Sequence, residues 1–414
     1  MTRLEDRLRE HYRAEVAGLD VPDLLPAVLA AGRRARTHRR LAAAACTAAL
    51  IAGVAGAAIG LRGSAPQPAP RHPARPFTVL TRTGLAPGWG QPSGIAAVPG
   101  GVWLASWNLG QIARIDAATG RITARIPVGK PGDGPSSVAY GAGSLWVTDF
   151  ATSGLLRLDP RTGHRLAAIH LPGGIRDVAV GGGYVWVTTF RGGPVNNRLV
   201  KIDPATGRVL AIQPIPGNYG KDGLAIAAIS TAVWLLDDAG PAVQTVDPAS
   251  MNVVASATTG AAQYTRALAV SGRDAWALID GTLYRIDPPW SAVSRHVSLY
   301  SWPSATSANG ALGDETLAAG PPGTLWAAGP ALYHVSEATM RARRFTGFGA
   351  ADNVAVLGQI LWVQADDGIV YQLALHRPGV PGQPGRAAAR RRDRRSDRGR
   401  PPVHSASDFN RQGR

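Results

Sequence analysis

One short phrase recurs through most of this chain: an apolar residue, a tryptophan, then an apolar or small residue. The phrase occurs seven times, and its tryptophans are 36 to 50 residues apart, about 43 on average. That period is typical of four-stranded β-propeller blades, which bury their apolar faces only by packing against neighbours. The seven tryptophans are Trp103, Trp146, Trp186, Trp234, Trp276, Trp326 and Trp362.

Each tryptophan lies between two further strand-like segments. A short apolar segment precedes it, such as SVAY or DVAV, and a segment with an acidic turn follows it, as in LRLDPRTG and VKIDPATG. In this turn Asp accepts hydrogen bonds from backbone N–H groups, Pro fixes φ, and Gly takes the left-handed conformation that closes a bulged hairpin. The pattern predicts tryptophans on second strands. Alternation in the third strand, as at Leu156 and Leu158, turns apolar residues toward a neighbouring blade.

The seventh unit ends after three strands, and residues 77–81 (FTVLT) precede the first tryptophan-bearing unit. We predict that this segment supplies the missing strand and closes the ring, so that no open end is left. The predicted fold class is all-β: a seven-bladed β-propeller of four-stranded blades over residues 77–376. A short helical cytoplasmic segment and one transmembrane helix are predicted to precede it.

Residues 41–61 are uncharged and long enough to cross a bilayer as a helix. Five arginines lie within residues 33–40, and one, Arg62, follows closely. This asymmetry predicts a single-pass cell-membrane protein with a cytoplasmic N-terminus and an extracytoplasmic propeller. The alternative is a signal peptide cleaved near Ser64 or Ala65.

The segments around the anchor have their own patterns. Residues 1–40 space apolar side chains as in an amphipathic helix, and this segment either docks a cytosolic partner or only fixes the topology. Residues 62–76 form a Pro-rich linker. Residues 377–414 contain 11 Arg and 3 Asp with few large apolar residues, so we expect a disordered tail.

The charge is concentrated at the chain ends. Of the net charge of +16, +8 belongs to residues 377–414 and +3 to residues 1–40. No specific nucleic-acid partner is predicted, because the basic tail is expected outside the cell. The single cysteine, Cys46, lies in the apolar segment, which excludes a disulfide framework within the chain.

The repeats carry a family resemblance. VWVTTF…LVKIDPATGRVLAIQPIPG and LWVTDF…LLRLDPRTGHRLAAI resemble the repeats of YVTN-type (YncE-like) propellers and of the related virginiamycin B lyase-like propellers. The resemblance covers about residues 77–375. It implies the propeller fold and says little of function, because these repeats encode a scaffold.

In such a ring, the loops between blades and the loops between second and third strands share one face around the channel, which we call the mouth. A mixed-charge mouth with aromatic residues is suited to a polar ligand or a peptide; ordinary solvated loops are the alternative. The predicted ligand-binding residues are Arg176, Asp177, Lys221, Asp222, Arg266, Glu315 and Asp352. The wider mouth includes Ser93, Ser136, Trp107, Asn108, Asp149, Phe150, Phe190, Arg191, Asp237, Asp280, Asn353 and Asp366.

The resemblance also implies an enzymatic alternative. Virginiamycin B lyases open a cyclic depsipeptide by elimination, using Mg²⁺ with a His and Glu pair. This propeller has two glutamates, Glu315 and Glu337, and no Glu-x-His pair. We therefore predict no catalytic residues, no metal site and no cofactor, with Mg²⁺ required only under the lyase alternative.

Three functions follow from the sequence. The favoured one is a non-enzymatic extracytoplasmic module, for example a sensor, that binds an unknown polar ligand, a peptide or an envelope protein. The second is a Mg²⁺-dependent lyase of the virginiamycin B type. The third is a structural component of a cell-envelope complex.

Overall fold

The computed structural model describes residues 75–85, 89, 93–190, 197–215, 224–237, 242–259, 266–301 and 316–376. These residues form 28 β-strands in seven four-stranded antiparallel sheets. The sheets are the blades of a seven-bladed β-propeller, as the tryptophan period predicts. The predicted cytoplasmic helix, the anchor over residues 41–61, the linker up to residue 74 and the tail from residue 377 lie outside the described residues.

Each blade has four strands, ordered from the channel outward. Blade one is β2 (Gly94–Val98), β3 (Gly101–Ser106), β4 (Gln111–Asp116) and β5 (Ile122–Pro127); blade two is β6 (Pro135–Gly141), β7 (Ser144–Asp149), β8 (Gly154–Leu158) and β9 (Arg165–His170). Blade three is β10 (Gly174–Gly181), β11 (Tyr184–Phe190), β12 (Arg198–Ile202) and β13 (Val209–Pro214); blade four is β14 (Leu224–Ala228), β15 (Val233–Asp237), β16 (Ala242–Val246) and β17 (Val253–Thr258). Blade five is β18 (Arg266–Ser271), β19 (Asp274–Ile279), β20 (Thr282–Ile286) and β21 (Arg295–Ser298); blade six is β22 (Leu317–Ala319), β23 (Thr324–Ala327), β24 (Leu332–Ser336) and β25 (Ala342–Phe345). Blade seven is β26 (Ala351–Leu357), β27 (Ile360–Ala365), β28 (Ile369–Leu375) and β1 (Phe77–Gly84).

Blade seven closes the ring with strands from both ends of the propeller. β1 is its outer strand and pairs antiparallel with β28, from Phe77 opposite Leu375 to Gly84 opposite Ile369. The strand predicted over residues 77–81 is therefore present and continues to Gly84, with a bulge at Leu80. Phe77 packs against Trp326 and Phe345 of blade six, with ring centroids 5.9 and 5.1 Å away. β1 thus joins the first and last strands of the propeller and also contacts blade six.

The core lies between neighbouring blades. Each of the seven repeat tryptophans is on the second strand of its blade and at most 1% exposed. The third strand faces both neighbours: Leu156 and Leu158 pack with blade one, while Leu155 and Arg157 face blade three. Arg157 Nη1 donates to the carbonyl of Ala205, in the turn of the next blade, at 2.9 Å. Apolar packing and this polar contact hold successive blades together.

The acidic turns have the predicted chemistry. In the turn after β8, Asp159 Oδ1 accepts from the N–H groups of Arg161 and Thr162 at 2.9 and 2.8 Å and from the Thr162 hydroxyl at 2.9 Å. These bonds lower the pKa of Asp159, the Thr162 N–H contributing most. Gly163 then takes a φ of +74°, and the β8–β9 register shifts by a bulge. The sequence interpretation of this turn is confirmed.

Two glycine-rich phrases lie at the opposite end of the blades from the mouth. Residues 141–143 connect β6 with β7, and residues 181–183 connect β10 with β11. These phrases are tight strand connections, as their matching positions in two repeats indicate. Within the described ranges, no helix is long and apolar enough to span a bilayer.

Candidate functional site

The mouth is formed by the ends of second strands and the beginnings of first strands. In blades one to three and seven, this end of the second strand is polar and buried, whereas in blades five and six it ends in apolar residues. The buried polar residues at these strand ends are Ser106, Thr148, Asp149, Thr188, Thr189 and Gln364. The chemistry of the described mouth is therefore concentrated in blades seven, one, two and three.

Three side chains from successive blades form a continuous row on this part of the mouth. Trp107 follows β3, Phe150 follows β7, and Arg176 lies near the start of β10. The rings of Trp107 and Phe150 meet edge to face with centroids 4.9 Å apart, and the Arg176 guanidinium lies 5.3 Å from the centre of the Phe150 ring. All three are partly exposed. We call these residues the aromatic–arginine row.

Backbone contacts fix the two ends of this row. The Trp107 carbonyl accepts from the N–H groups of Gly110 and Gly132 at 3.2 and 3.1 Å, which joins its turn to the loop entering blade two. At the other end, Ser136 Oγ donates to the Arg176 carbonyl at 2.8 Å. The backbone at both ends of the row is therefore fixed by hydrogen bonds to the neighbouring segments.

Asp149 ends β7 directly below this row. Its side chain is 7% exposed, and Oδ2 accepts from the Thr152 hydroxyl at 2.7 Å. Oδ1 is buried and accepts no hydrogen bond from the described protein atoms. A buried carboxylate oxygen without a donor is costly, so Asp149 adds an unpaired acceptor atom to the end of β7.

Asp177, predicted as a ligand-binding residue, is engaged in joining three blades. Its Oδ1 accepts from Ser137 Oγ of blade two at 2.5 Å, and its Oδ2 from the N–H of Ile226 of blade four at 3.1 Å. Oδ1 also accepts from the N–H of Val178 at 2.8 Å. The structure thus gives the Asp177 carboxylate a role in positioning the inner strands.

Asp352 lies in the corresponding segment of blade seven. A register shift between Ala351 and Asn353 places Asp352 in a bulge of β26, as Arg176 is placed in β10. Asp352 is 4% exposed, and Gln364, opposite Asn353, is 1% exposed. Asp352 is therefore less accessible to solvent than the three partly exposed residues of the aromatic–arginine row.

The other four predicted ligand-binding residues add no side-chain geometry. Lys221, Asp222 and Glu315 lie outside the described residues, and Arg266 is described only as the first residue of β18. Their assignment as ligand-binding residues stays a prediction.

The histidines considered for catalysis are spread over the propeller. His164 and His170 are exposed on a turn and an outer strand, as predicted. His334 packs on Trp326 with ring centroids 4.7 Å apart, and burial, with Arg343 nearby, lowers the pKa of its imidazole. His376 Nε2 lies 2.8 Å from Thr78 Oγ1 at the ring closure. Across the described ranges, no three His, Cys, Asp or Glu side chains form a group that could hold a metal ion.

Sequence comparison gives no assignment: no protein-family model matches the chain, and no curated protein matches it. Solved structures do match its fold. One is a catalytically inactive virginiamycin B lyase from Staphylococcus aureus with quinupristin, at 16% identity and a TM-score of 0.55, covering 72% of this chain and 99% of the lyase chain. Another is the hydrazine synthase of Kuenenia stuttgartiensis, at 14% identity and a TM-score of 0.55, covering 70% and 97%.

A third match belongs to a structure of the mitotic checkpoint complex, at 13% identity and a TM-score of 0.57, covering 77% of this chain and 98% of that one. At such low identity these likenesses concern the fold alone. The fold places the chain in the class of β-propellers, and its matches include proteins of unrelated function, as expected for a scaffold shared by many activities.

Proposed function

We propose that this protein is a non-enzymatic binding module whose ligand contacts the aromatic–arginine row at the propeller mouth. The observation that carries the proposal is the contiguity of Trp107, Phe150 and Arg176, drawn from three blades and held within contact distance. Partly exposed aromatic rings offer flat apolar area at low entropic cost. The neighbouring guanidinium offers donors matched to a carboxylate. The ligand class is a peptide or small molecule with a carboxylate beside a flat apolar group.

The test uses N-acetylphenylalanine as a minimal probe and its neutral amide as the comparison. Isothermal titration calorimetry of the full-length protein is expected to show binding of the acid and weaker binding of the amide. Arg176→Gln should weaken binding of the acid by about tenfold to a hundredfold, since a charge-assisted hydrogen bond contributes about 1.5–3 kcal/mol. Trp107→Ala should weaken binding of both probes.

The matched control is Arg165→Gln, which removes an arginine from the exposed outer strand of blade two. It should leave the affinity unchanged. Equal binding of acid and amide, unaffected by Arg176→Gln, would show that the row does not recognise a carboxylate. Failure of both probes to bind would remove the proposed ligand class.

The cellular setting is also a proposal. We place the module outside the cell on an anchor over residues 41–61, supported by the arginine asymmetry around that segment. Protease added to intact cells should remove the C-terminal tail and leave residues 1–40 protected. A mature protein that starts near Ala65 would instead demonstrate a cleaved signal peptide.

The lyase alternative receives less support from the site. The described residues supply no group of three His, Cys, Asp or Glu that fits a metal ion, and their histidines lie on turns, outer strands and blade interfaces. The likeness to virginiamycin B lyase rests on the fold. We therefore derive no step through Mg²⁺, and a structural role in an envelope complex remains the other alternative.

A further inference from the structure

The outer strands of the seven blades differ in how their free edges are protected. Each sheet ends in a strand whose outward edge pairs with no other strand among the described residues. Charged side chains on such an edge oppose pairing with another chain. Five outer strands carry arginine, and two, in the neighbouring blades three and four, carry no charged residue. The uncharged pair is β13 (VLAIQP) and β17 (VVASAT).

These two uncharged strands also expose large apolar side chains. Leu210 and Ile212 on β13 are 38% and 37% exposed, and Val254 on β17 is 59% exposed. On β13 they alternate with partly buried residues that face blade four, such as Ala211. A strand that pairs with β13 would therefore have apolar side chains of β13 beside it on both faces of the sheet.

A groove of about 90 Å³ opens between these two blades. Gln213 and Pro214 line one side and Asn252 and Val253 the other, while Met251, only 5% exposed, forms part of its apolar base. Since a water molecule takes about 30 Å³ in the liquid, the groove has room for a branched aliphatic side chain. Among the residues that the structure describes, none of those lining the groove is charged.

The groove lies at a blade contact that recurs in the ring, and the turn residue at this contact differs between blades. Where blade three packs on blade two, Gly207 lies below Ile169 of the preceding outer strand. Between blades three and four the turn position is held by Met251, which has the same left-handed conformation, with φ +59° against +72° for Gly207. A long side chain thus stands in the place of glycine and lines the groove.

A second propeller fits this edge poorly. Stable protein interfaces bury about 1,200–2,000 Å², whereas the uncharged edge of blade three is a single six-residue strand. An extended peptide can follow the strand, pair with its outward N–H and C=O groups and place alternate side chains in the groove.

We propose that β13 and the adjacent groove form a docking site for an extended, uncharged segment of a partner protein, which adds a fifth strand to blade three. Main-chain hydrogen bonds to β13 supply the pairing. A Val or Leu side chain of the partner fills the groove lined by Pro214 and Val253. The site is separate from the mouth and independent of the ligand proposed there.

The test uses heptapeptides of sequence STVTLTS and STVPLTS, labelled with fluorescein at the N-terminus and amidated at the C-terminus, with the purified full-length protein. The proline peptide lacks one backbone N–H and cannot pair along its whole length. Anisotropy is expected to show saturable binding of STVTLTS and at least about tenfold weaker binding of STVPLTS. Hydrogen exchange should show new protection of amides within residues 209–214 when the first peptide binds.

Ile212→Lys places a charge on the edge and should weaken binding of STVTLTS by about tenfold or more. Leu166→Lys makes the same kind of change at an exposed position of β9, which already carries Arg165, and should leave binding unchanged. No binding, equal binding of both peptides or equal loss in both variants would overturn the proposal. A dimer that Ile212→Lys converts to monomer would assign the edge to a second copy and also overturn it.

Discussion

Gly163 lies at the junction of blades one and two, where the Trp103 side chain leaves no room for a Cβ atom. Its φ of +74° is left-handed, and an added Cβ would overlap Ile126 and lie 2.6 Å from Trp103 Cη2. The Trp103 indole also donates to the Pro160 carbonyl of the same turn at 2.8 Å. At the scale of single residues, one turn and one tryptophan thus specify how two blades pack.

Replacement of this glycine should be costly for two reasons. In Gly163→Ala the left-handed backbone costs about 1–2 kcal/mol and overpacking about 1–3 kcal/mol, so we expect the free energy of unfolding to fall by about 2–5 kcal/mol. Gly207→Ala has the same backbone cost but a nearest contact of 3.2 Å, and should lose about 1–2 kcal/mol. Urea denaturation checks both. Equal losses would mean that the contact with Trp103 contributes nothing.

The turn aspartates predict an acid dependence of stability. The pKa of Asp159 is lowered from its usual value of 3.8, chiefly by the Thr162 N–H and hydroxyl. A carboxyl pKa that is lower in the folded state gives stabilisation that is complete above the usual value and lost as pH falls through the folded value. The unfolding free energy should therefore fall below about pH 4, and should fall less in Asp159→Asn. Thr162→Ser, which keeps the hydroxyl, is the control expected to behave as wild type.

At the scale of elements, β1 contacts three blades. It pairs with β28 in blade seven, places Phe77 against the aromatic side chains of blade six, and donates from Thr83 Oγ1 to the Gly120 carbonyl of blade one at 2.6 Å. The other outer strands follow the third strand of their blade directly in the chain, whereas β1 precedes every other strand of the propeller. β1 therefore holds the two ends of the ring and both neighbouring blades.

Deletion of residues 77–81 should destabilise the propeller far more than deletion of residues 380–414. The first deletion exposes the edge of β28 and leaves a cavity where the Phe77 ring packs, and loss of a buried phenylalanine side chain alone costs about 3–5 kcal/mol. The second removes a basic segment with few large apolar residues. Thermal unfolding of the two truncated proteins measures the difference. Equal melting temperatures would mean that β1 does not stabilise the closed ring.

Local sequence patterns predict the strands of each blade, but they predict the arrangement of the mouth residues less well. Tryptophan spacing and DPxTG turns act within one blade, so strand order and the closing strand could be inferred from sequence. The mouth residues Trp107, Phe150 and Arg176 were each placed on the correct face, but their contact depends on how three blades pack. Asp177 had the same sequence signal as a ligand-binding residue, and only its bonds to Ser137 and Ile226 show its connecting role.

At the scale of the whole molecule, the same ring accommodates different chemistry in different proteins. The S. aureus lyase and this chain match in fold over 72% of the latter at 16% identity. An elimination needs a base within hydrogen-bond reach of the acidic proton and stabilisation of the charge that develops. His334 is on the third strand of blade six, and its imidazole packs on the ring of Trp326 on the neighbouring strand. At this identity the likeness concerns the architecture alone.

We accordingly predict that the purified protein does not linearise a streptogramin B depsipeptide, with or without Mg²⁺. Mass spectrometry of the antibiotic over time measures ring opening, and a known lyase under the same conditions is the positive control. Time-dependent, chelator-sensitive opening would falsify the non-enzymatic assignment. Loss of that opening in Glu315→Gln would then place the active site at the mouth.

Ring closure also sets the order in which the molecule can be completed during synthesis. Thr78 and His376, which meet at the closure, are 298 residues apart in the chain. At about 5–20 residues per second, the first strand waits roughly 15–60 s for its partner to be translated. A ribosome that stops before β28 releases a chain whose first strand has nothing to pair with. Only a chain translated through β28 can therefore pair its first strand and close the ring.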